Sequence, residues 1–366
     1  MIFPHFKLNY EGITVNEINY ELLKKVHQLK PVIRTQVIGV GAYLPEKKVK
    51  SDDIMQYIDT EKLYGTPYNW MSDKMGIIER RTCEDHQLPS DIAVNAALDA
   101  FEAHPEFNPG LIDAVIFCGI EHDKQEPATA HIIQNKLGLK ANHVFDVSNA
   151  CFGFVDGLKI ASALVEAEAI RHALIVTGEV STQMTRAVAE TLKKGVDIKE
   201  ARNMWGMLSL GDAGGAVIVG PSETGNSGFM SFNQRSESRH VNLCHYKWEK
   251  DGTVNASMQM ARIVSRGFEL NKKIFQETLN DLGWSSVDWA VAHQTGDATF
   301  KQTLGLHSLH ESKIVKTYPL LGNITTATLP VSFKKLFDSG RVKKGHKIGG
   351  LFAGSGLVAG QFGYVV

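Results

Sequence analysis

Three side chains far apart in the chain form a chemically coherent set: Cys151, His293 and Asn323, 142 and 30 residues apart in order. Cys151 sits in Asp146-Val-Ser-Asn-Ala-Cys-Phe-Gly-Phe154, where a strand pattern meets a turn of small residues and then a helical pattern. That places a sulfur at a helix start, where unpaired N–H groups and the helix dipole favour a thiolate. A free thiol titrates near ~8.5, and such a site can lower the value by several units. The plainer alternative is a buried structural cysteine, the reading given to Cys83, Cys118 and Cys244. His293 ends an apolar run over 287–292, so it faces a loop cleft, where α/β folds place their sites. Asn323, in Leu320-Leu-Gly-Asn-Ile-Thr-Thr-Ala-Thr-Leu-Pro330, reads either as a turn and helix cap or as an amide donor. An imidazole can trade a proton with the thiol, and an amide can donate to a carbonyl oxygen without changing charge.

The elements that must position these residues are legible as alternating patterns. Apolar strand runs fall at 35–45, 111–119, 143–147, 172–177 and 214–220, with helical spacing at 90–103, 128–137 and 153–169. The second half repeats the plan, with strands at 228–232, 287–293, 313–317, 347–352 and 357–366 and helices at 263–282 and 329–338. Leu111-Ile-Asp-Ala-Val-Ile-Phe can be laid over Ser286-Val-Asp-Trp-Ala-Val-Ala, as a duplicated αβ unit predicts. The central strands are expected to be mostly parallel. Residues 183–205 read as a polar helical insertion, and 1–32 as an extension that packs on the body.

Composition narrows the classes. The chain has 366 residues, 43% hydrophobic and 22% charged, close to the globular average. Thirty-nine basic and forty acidic residues give a net charge of −1, which removes any global pull on nucleic acid or an anionic membrane. Four scattered cysteines without a CxxC pair exclude a zinc ribbon and predict a reduced, cytoplasmic protein without a metal. No early stretch is apolar enough for a signal peptide or a membrane span.

Several ordered motifs together resemble the thiolase-fold condensing enzymes of the ketoacyl-carrier-protein synthase III type. They are Gly39-Val-Gly-Ala-Tyr-Leu-Pro45, Trp70 with Gly76-Ile-Ile-Glu-Arg80, Ser148-Asn-Ala-Cys-Phe-Gly153, Gly211-Asp-Ala-Gly-Gly-Ala216, His293-Gln294, Gly322-Asn323 and Gly354-Ser-Gly356. The resemblance implies an α/β, thiolase-like duplicated αβαβα layered fold, with halves at 33–222 and 223–366. It implies that Cys151 takes an acyl group from a thioester, and that His293 and Asn323 bind the carbonyl of a second one. The Cys151 and Ser355 N–H groups would form the oxyanion hole. Glu126, in Glu126-Pro-Ala-Thr-Ala130, looks like the subgroup that condenses two acyl-CoA chains head to head in bacterial olefin synthesis. There a glutamate reaches the partner subunit's site as α-proton base, a role that burial would favour by raising its pKa. As an isolated residue, Glu126 reads equally as an exposed loop acid.

Trp70 and Lys74 stand where fatty-acid-initiating synthases hold coenzyme A with Trp and Arg, although Lys lacks the bidentate fork. Met184, Met204, Met207, Met230, Met258 and Met260 suit either a tunnel for a flexible chain or ordinary core; Met204 and Met207 are taken as substrate-binding. The implied partners are acyl-CoA or an acyl-carrier protein and a second copy of the chain. No cofactor is implied beyond the coenzyme A or phosphopantetheine thioester. Two other chemistries use similar residues: acyl transfer to a hydroxyl or amine, and hydroxymethylglutaryl-CoA synthase-like condensation.

Overall fold

A computed structural model describes residues 34–366 except Glu223; the expected extension, residues 1–32, lies outside the described residues. Thirteen strands are described: β1 (Thr35–Tyr43), β2 (Lys48–Lys50), β3 (Glu79–Arg81), β4 (Ala114–Phe117), β5 (His143–Asp146), β6 (Ala173–Glu179), β7 (Ala213–Pro221), β8 (Gly228–Ser236), β9 (Cys244–Trp248), β10 (Val254–Met258), β11 (Trp289–Ala292), β12 (Lys347–Gly354) and β13 (Val358–Val365). The first large sheet has the order β1-β7-β6-β4-β5, and the second β11-β12-β13-β8. Within the first, β1·β7 and β7·β6 are antiparallel, and β6·β4 and β4·β5 parallel. Read from its other edge, the second repeats this pattern. There β8·β13 and β13·β12 are antiparallel, β12·β11 is parallel, and Ile314 makes a parallel bridge to Ala290 beyond β11. The two segments that the sequence overlays, at β4 and β11, hold equivalent places. The expectation of mostly parallel sheets is corrected: in each half the strand leading back toward the chain's end pairs antiparallel on both sides. The strand expected over 313–317 shrinks to the single Ile314 bridge.

Five layers follow from which faces are apolar. Helix Gly153–Glu166 buries Phe154, Val155, Leu158, Ala161 and Val165, spaced to face a sheet on either side. Helix Thr328–Asp338 buries Leu329, Phe333 and Leu336. Both helices share one apolar cluster with residues of β1, β4, β6 and β7 and of β8, β11, β12 and β13, so they form the central layer between the sheets. On the outer face of the first sheet, helix Pro89–Ala103 presents Ala93, Ala96, Ala97 and Ala100. It lies almost against bare backbone: a Cβ on Gly178 would stand 1.9 Å from Pro89 O, and one on Gly41 2.0 Å from Ala96 O. Only glycine permits that approach. Helix Met260–Leu282 covers the second sheet through Leu270 and Ile274.

The expected polar insertion is two helices, Thr182–Lys193 and Ile198–Met204, whose Met184, Val188, Leu192 and Met204 are buried. The β9–β10 hairpin is the element the sequence reading missed. Its signal was present in Glu249-Lys-Asp-Gly252, an Asp-Gly turn between two short alternating runs. Among the described residues, no helix is long and apolar enough to cross a membrane. No group of three or more His, Cys, Asp or Glu there could hold a metal ion.

Candidate active site

Cys151 stands two residues ahead of helix Gly153–Glu166, in a sharply bent backbone: Ala150 has φ 47°. Asn323 has a comparable neighbour, Thr325, also at φ 47°. Left-handed backbone at non-glycine residues costs energy and tends to concentrate at functional sites. His293 leaves the end of β11 with its N–H on Leu351 O (3.0 Å). The buried Gln294 fixes the strand end. Its Nε2 donates to Val315 O (2.6 Å), and its Oε1 accepts from Thr317 N–H (2.8 Å). The backbone of Asn323 is tied to the 209–211 segment by its N–H to Ser209 O (2.9 Å) and by Gly211 N–H to its own carbonyl (3.1 Å). Its Oδ1 accepts from Thr325 N–H (3.1 Å), so the NH2 group is what the side chain offers as donor.

These residues meet at one cavity. A narrow space of about 100 Å³ is lined by Cys151, His293, Asn323, Cys244, Phe352 and Ser355, among others. Through Met260, Val264, Thr295 and Thr299 it adjoins an outer cleft of about 740 Å³ that holds Trp70, Lys74, Arg202 and Arg262. On its other side Cys151, Cys244, Met258 and Ser355 also line a third cavity of about 200 Å³, walled by Met184, Met207 and Leu210. Ser355 follows β12 in the turn to β13, and a Cβ on Gly354 would stand 3.0 Å from Phe152 N. That turn therefore lies against the backbone just after Cys151.

Burial sets the protonation states. It pushes the Cys151 thiol well above its ordinary value, and the Cys244 thiol and Glu179 carboxylate push the same way. This corrects the expectation of a lowered thiol: desolvation of the charged form outweighs the helix start. Burial also pushes His293 down to about 4. Both partners are therefore neutral near pH 7 in this structure, and the imidazole's contact is Thr328 Oγ1 at 3.4 Å.

Other expected residues fall as follows. Trp70 and Lys74 line the outer cleft, with Trp70 5.2 Å from the Trp205 ring. Met207 lines the third cavity, whereas Met204 is buried in the core beneath it and lines none of these spaces, because helix Ile198–Met204 turns it inward. Glu126 is exposed on the loop before Pro127 and is not among the described residues lining these three cavities. Cys244, read as filler, lines two of them beside Cys151; only the missed hairpin brings it there.

Two carboxyl groups were not anticipated. Glu179, at the end of β6, is fully buried and pushed up to about 7 by burial. Glu121 lines the third cavity with Cys151 and accepts a hydrogen bond from Tyr246 Oη at 2.5 Å. Glu179 could have been suspected as a charged residue ending an unbroken apolar strand.

Comparison with known proteins agrees with this arrangement. The family described as 3-oxoacyl-[acyl-carrier-protein (ACP)] synthase III matches residues 145–238, and its C-terminal part residues 278–362. The beta-ketoacyl-[acyl-carrier-protein] synthase III of Thiobacillus denitrificans is 30% identical over 342 residues, covering 88% of this chain and 98% of that protein. That of Paramagnetospirillum magneticum is 27% identical over 346 residues, covering 89% and 99%. Among solved structures, cerulenin-bound OleA of Xanthomonas campestris has a TM-score of 0.84 at 26% identity, covering 91% of this chain and 98% of that one. A cysteine-to-serine variant of OleA with lauric acid and lauroyl-CoA bound also scores 0.84 at 26% identity, covering 91% and 99%. By sequence, by the shared thiolase fold and by the layout of its site, the chain belongs to the 3-oxoacyl-[acyl-carrier-protein] synthase III family of acyl-transferring condensing enzymes.

Proposed function

We propose that the chain forms a carbon–carbon bond by Claisen condensation of two acyl thioesters through an acyl-Cys151 intermediate. The observation that carries this reading is a run of three adjoining spaces, two of which are lined by Cys151. An outer cleft with Trp70, Lys74, Arg202 and Arg262 suits a thioester carrier, a narrow inner cavity holds His293 and Asn323, and Met184, Met207, Leu210 and Met258 of the third cavity suit an acyl chain. The first thioester enters from the outer cleft, its carrier resting on Trp70 and Lys74 with Arg202 and Arg262 beside them. Cys151 gives its proton to His293 as its sulfur attacks the carbonyl, and the Cys151 and Ser355 N–H groups hold the oxyanion at roughly 3 kcal/mol per donor. The carrier C–S bond then breaks, the departing carrier thiolate taking that proton from His293. The acyl chain then lies along Met184, Met207, Leu210 and Met258.

The second thioester binds with its carbonyl oxygen on His293 and the Asn323 amide, which stabilise its enolate. The α-carbanion arises by loss of carbon dioxide from a β-carboxy donor or by removal of an α-proton by a carboxylate. Glu126, being exposed, would do this only for the site of a second copy. The chain works as a cytoplasmic homodimer on acyl-CoA or an acyl-carrier protein, with halves at 33–222 and 223–366 that supply the nucleophile and the enolate site respectively.

The test is intact-mass measurement after exposure to acyl-CoAs of graded length, with product analysis. Acyl loading that disappears in Cys151→Ala, with a β-keto acid product, is the expected result. An acyl-enzyme that only hydrolyses, or passes its acyl group to an added amine or alcohol alone, would sink the condensation reading.

A further inference from the structure

The inner cavity extends beyond the reacting groups along helix Met260–Leu282, which lines it with Ile263, Gly267 and Asn271. These three residues recur every four positions and so form one stripe, about 12 Å long at ~1.5 Å per residue. Asn271 is the polar member of that stripe. It is 5% exposed, and its Oδ1 meets no donor among the described residues. The buried Gln361 is committed elsewhere, since its Nε2 donates to the backbone carbonyl of Asn271 (2.8 Å) and not to the side chain.

Other polar groups along the cavity are accounted for. The Thr303 hydroxyl donates to Thr299 O (3.0 Å), and the Thr299 hydroxyl to Gly296 O (2.9 Å). Gln302 is half-buried and reaches solvent. A buried amide oxygen without a donor costs the desolvation of that group, so folded proteins keep few of them. Gly267 is a second, independent observation. A Cβ there would meet only Ala353 Cβ, at 3.7 Å, which is ordinary contact. Packing therefore does not demand glycine, and glycine weakens a helix interior. What the missing side chain leaves is room in the stripe between Ile263 and Asn271.

We propose that this stripe seats the chain of the second thioester, and that Asn271 selects a chain that carries a hydroxyl group. The proposal rests on the condensation reading above and deepens it. In that reading the first acyl chain lies in the third cavity, which Asn271 does not line. The second thioester has its carbonyl on His293 and Asn323, and both line the same cavity as Asn271. A hydroxyl both donates and accepts, so it pairs with the amide through either its oxygen or its NH2 group. A carboxylate or an ammonium does not suit the cavity. Among the described residues lining it there is no Asp, Glu, Lys or Arg, so such a charge would be buried without a partner. A plain alkyl chain leaves the amide oxygen unpaired.

The experiment offers the whole chain an equimolar pair: a plain acyl-CoA, of a length shown to load Cys151, and a hydroxyacyl-CoA of the same length. A series of such pairs moves the hydroxyl along the chain. Fragment masses of the β-keto product assign which chain came from the second thioester. One hydroxyl position is expected to enter as second thioester at least about tenfold more often than the plain chain, the low end for satisfying a buried polar group. Asn271→Leu should erase that preference while plain chains still condense. Gly267→Leu should slow condensation at least about tenfold while acyl loading of Cys151 continues. A merely structural Asn271 would leave the ratio of the two chains unmoved. The parent's own selectivity needs no variant, so it stands as a test even if Asn271→Leu does not fold. A parent that favours no hydroxyl position by more than about twofold overturns the proposal, as does a preference that survives in Asn271→Leu. So does a preference confined to the first acyl chain, or a Gly267→Leu variant that condenses within about twofold of the parent. Absence of β-keto product from every pair overturns the condensation reading instead.

Discussion

Replacing Glu179 by glutamine tests how far burial, rather than ion pairing, sets the electrostatics around Cys151. Glu179 is fully buried; its Oε1 accepts from Ile120 N–H (3.2 Å) and the Thr326 hydroxyl, and its Oε2 meets no donor among the described residues. Its carboxyl is displaced from 4.5 to about 7, which corresponds to roughly 3 kcal/mol at ~1.4 kcal/mol per tenfold. A raised carboxyl favours the folded state while protonated. Its contribution is full below the unfolded value of 4.5 and is lost as pH rises through about 7. Glutamine keeps the oxygen that accepts both bonds and cannot ionise. Glu179→Gln should therefore match the parent in denaturant unfolding at pH 4.5 and exceed it by up to about 3 kcal/mol at pH 8. His293, held near 4, destabilises both proteins as pH falls from 6.5 toward 4, so it cancels in the difference. A second assay reads the site directly: Glu179 raises the Cys151 thiol, so alkylation of Cys151 at pH 8 should be faster in the variant. A stability difference that stays constant from pH 4.5 to 8, or an unchanged alkylation rate, would refute the reasoning.

Three further outcomes follow from single contacts. In Gly211→Ala the new Cβ would stand 2.1 Å from Leu321 O and displace the strand-like pairing that holds Asn323. Unfolding should cost about 3 kcal/mol less denaturant work, and turnover should fall by more than acyl loading of Cys151. Asp212→Ala strands the N–H groups of Cys83 (2.8 Å) and Ser181 (2.7 Å) and the Thr182 hydroxyl. Unfolding free energy should drop by about 3 kcal/mol or more, with Asp212→Asn milder. Trp70→Ala should raise KM for a coenzyme A thioester roughly tenfold, the scale of one lost aromatic contact, with kcat held. The corresponding pantetheine thioester should show little change if Trp70 meets the adenine.

Much of the fold was legible because its signals are local. The overlay of β4 on β11 needs only an apolar run of the right length, and both segments occupy equivalent places in their sheets. Strand direction was not legible: β7 and β13 read like any buried strand, and whether each pairs antiparallel depends on the path of a connection. The β9–β10 hairpin was overlooked because each of its strands is only five residues long, so that the alternation both carry is brief.

The sequence by itself determined the chemical inventory: a cysteine before a helix, a histidine at a strand end, an asparagine in a Gly-Asn turn, and enough ordered motifs to mark the family. It also determined which faces must be buried, because apolar spacing is a property of neighbouring residues. Only the tertiary structure decided what those groups experience. Desolvation depends on everything packed around a site, so the thiol that a helix start should lower is instead raised, and His293 is pushed to about 4. Proximity across the chain decided the rest. It set Cys244 and Glu121 beside the nucleophile and left Glu126 in solvent, although Glu121 and Glu126 are five residues apart on one loop.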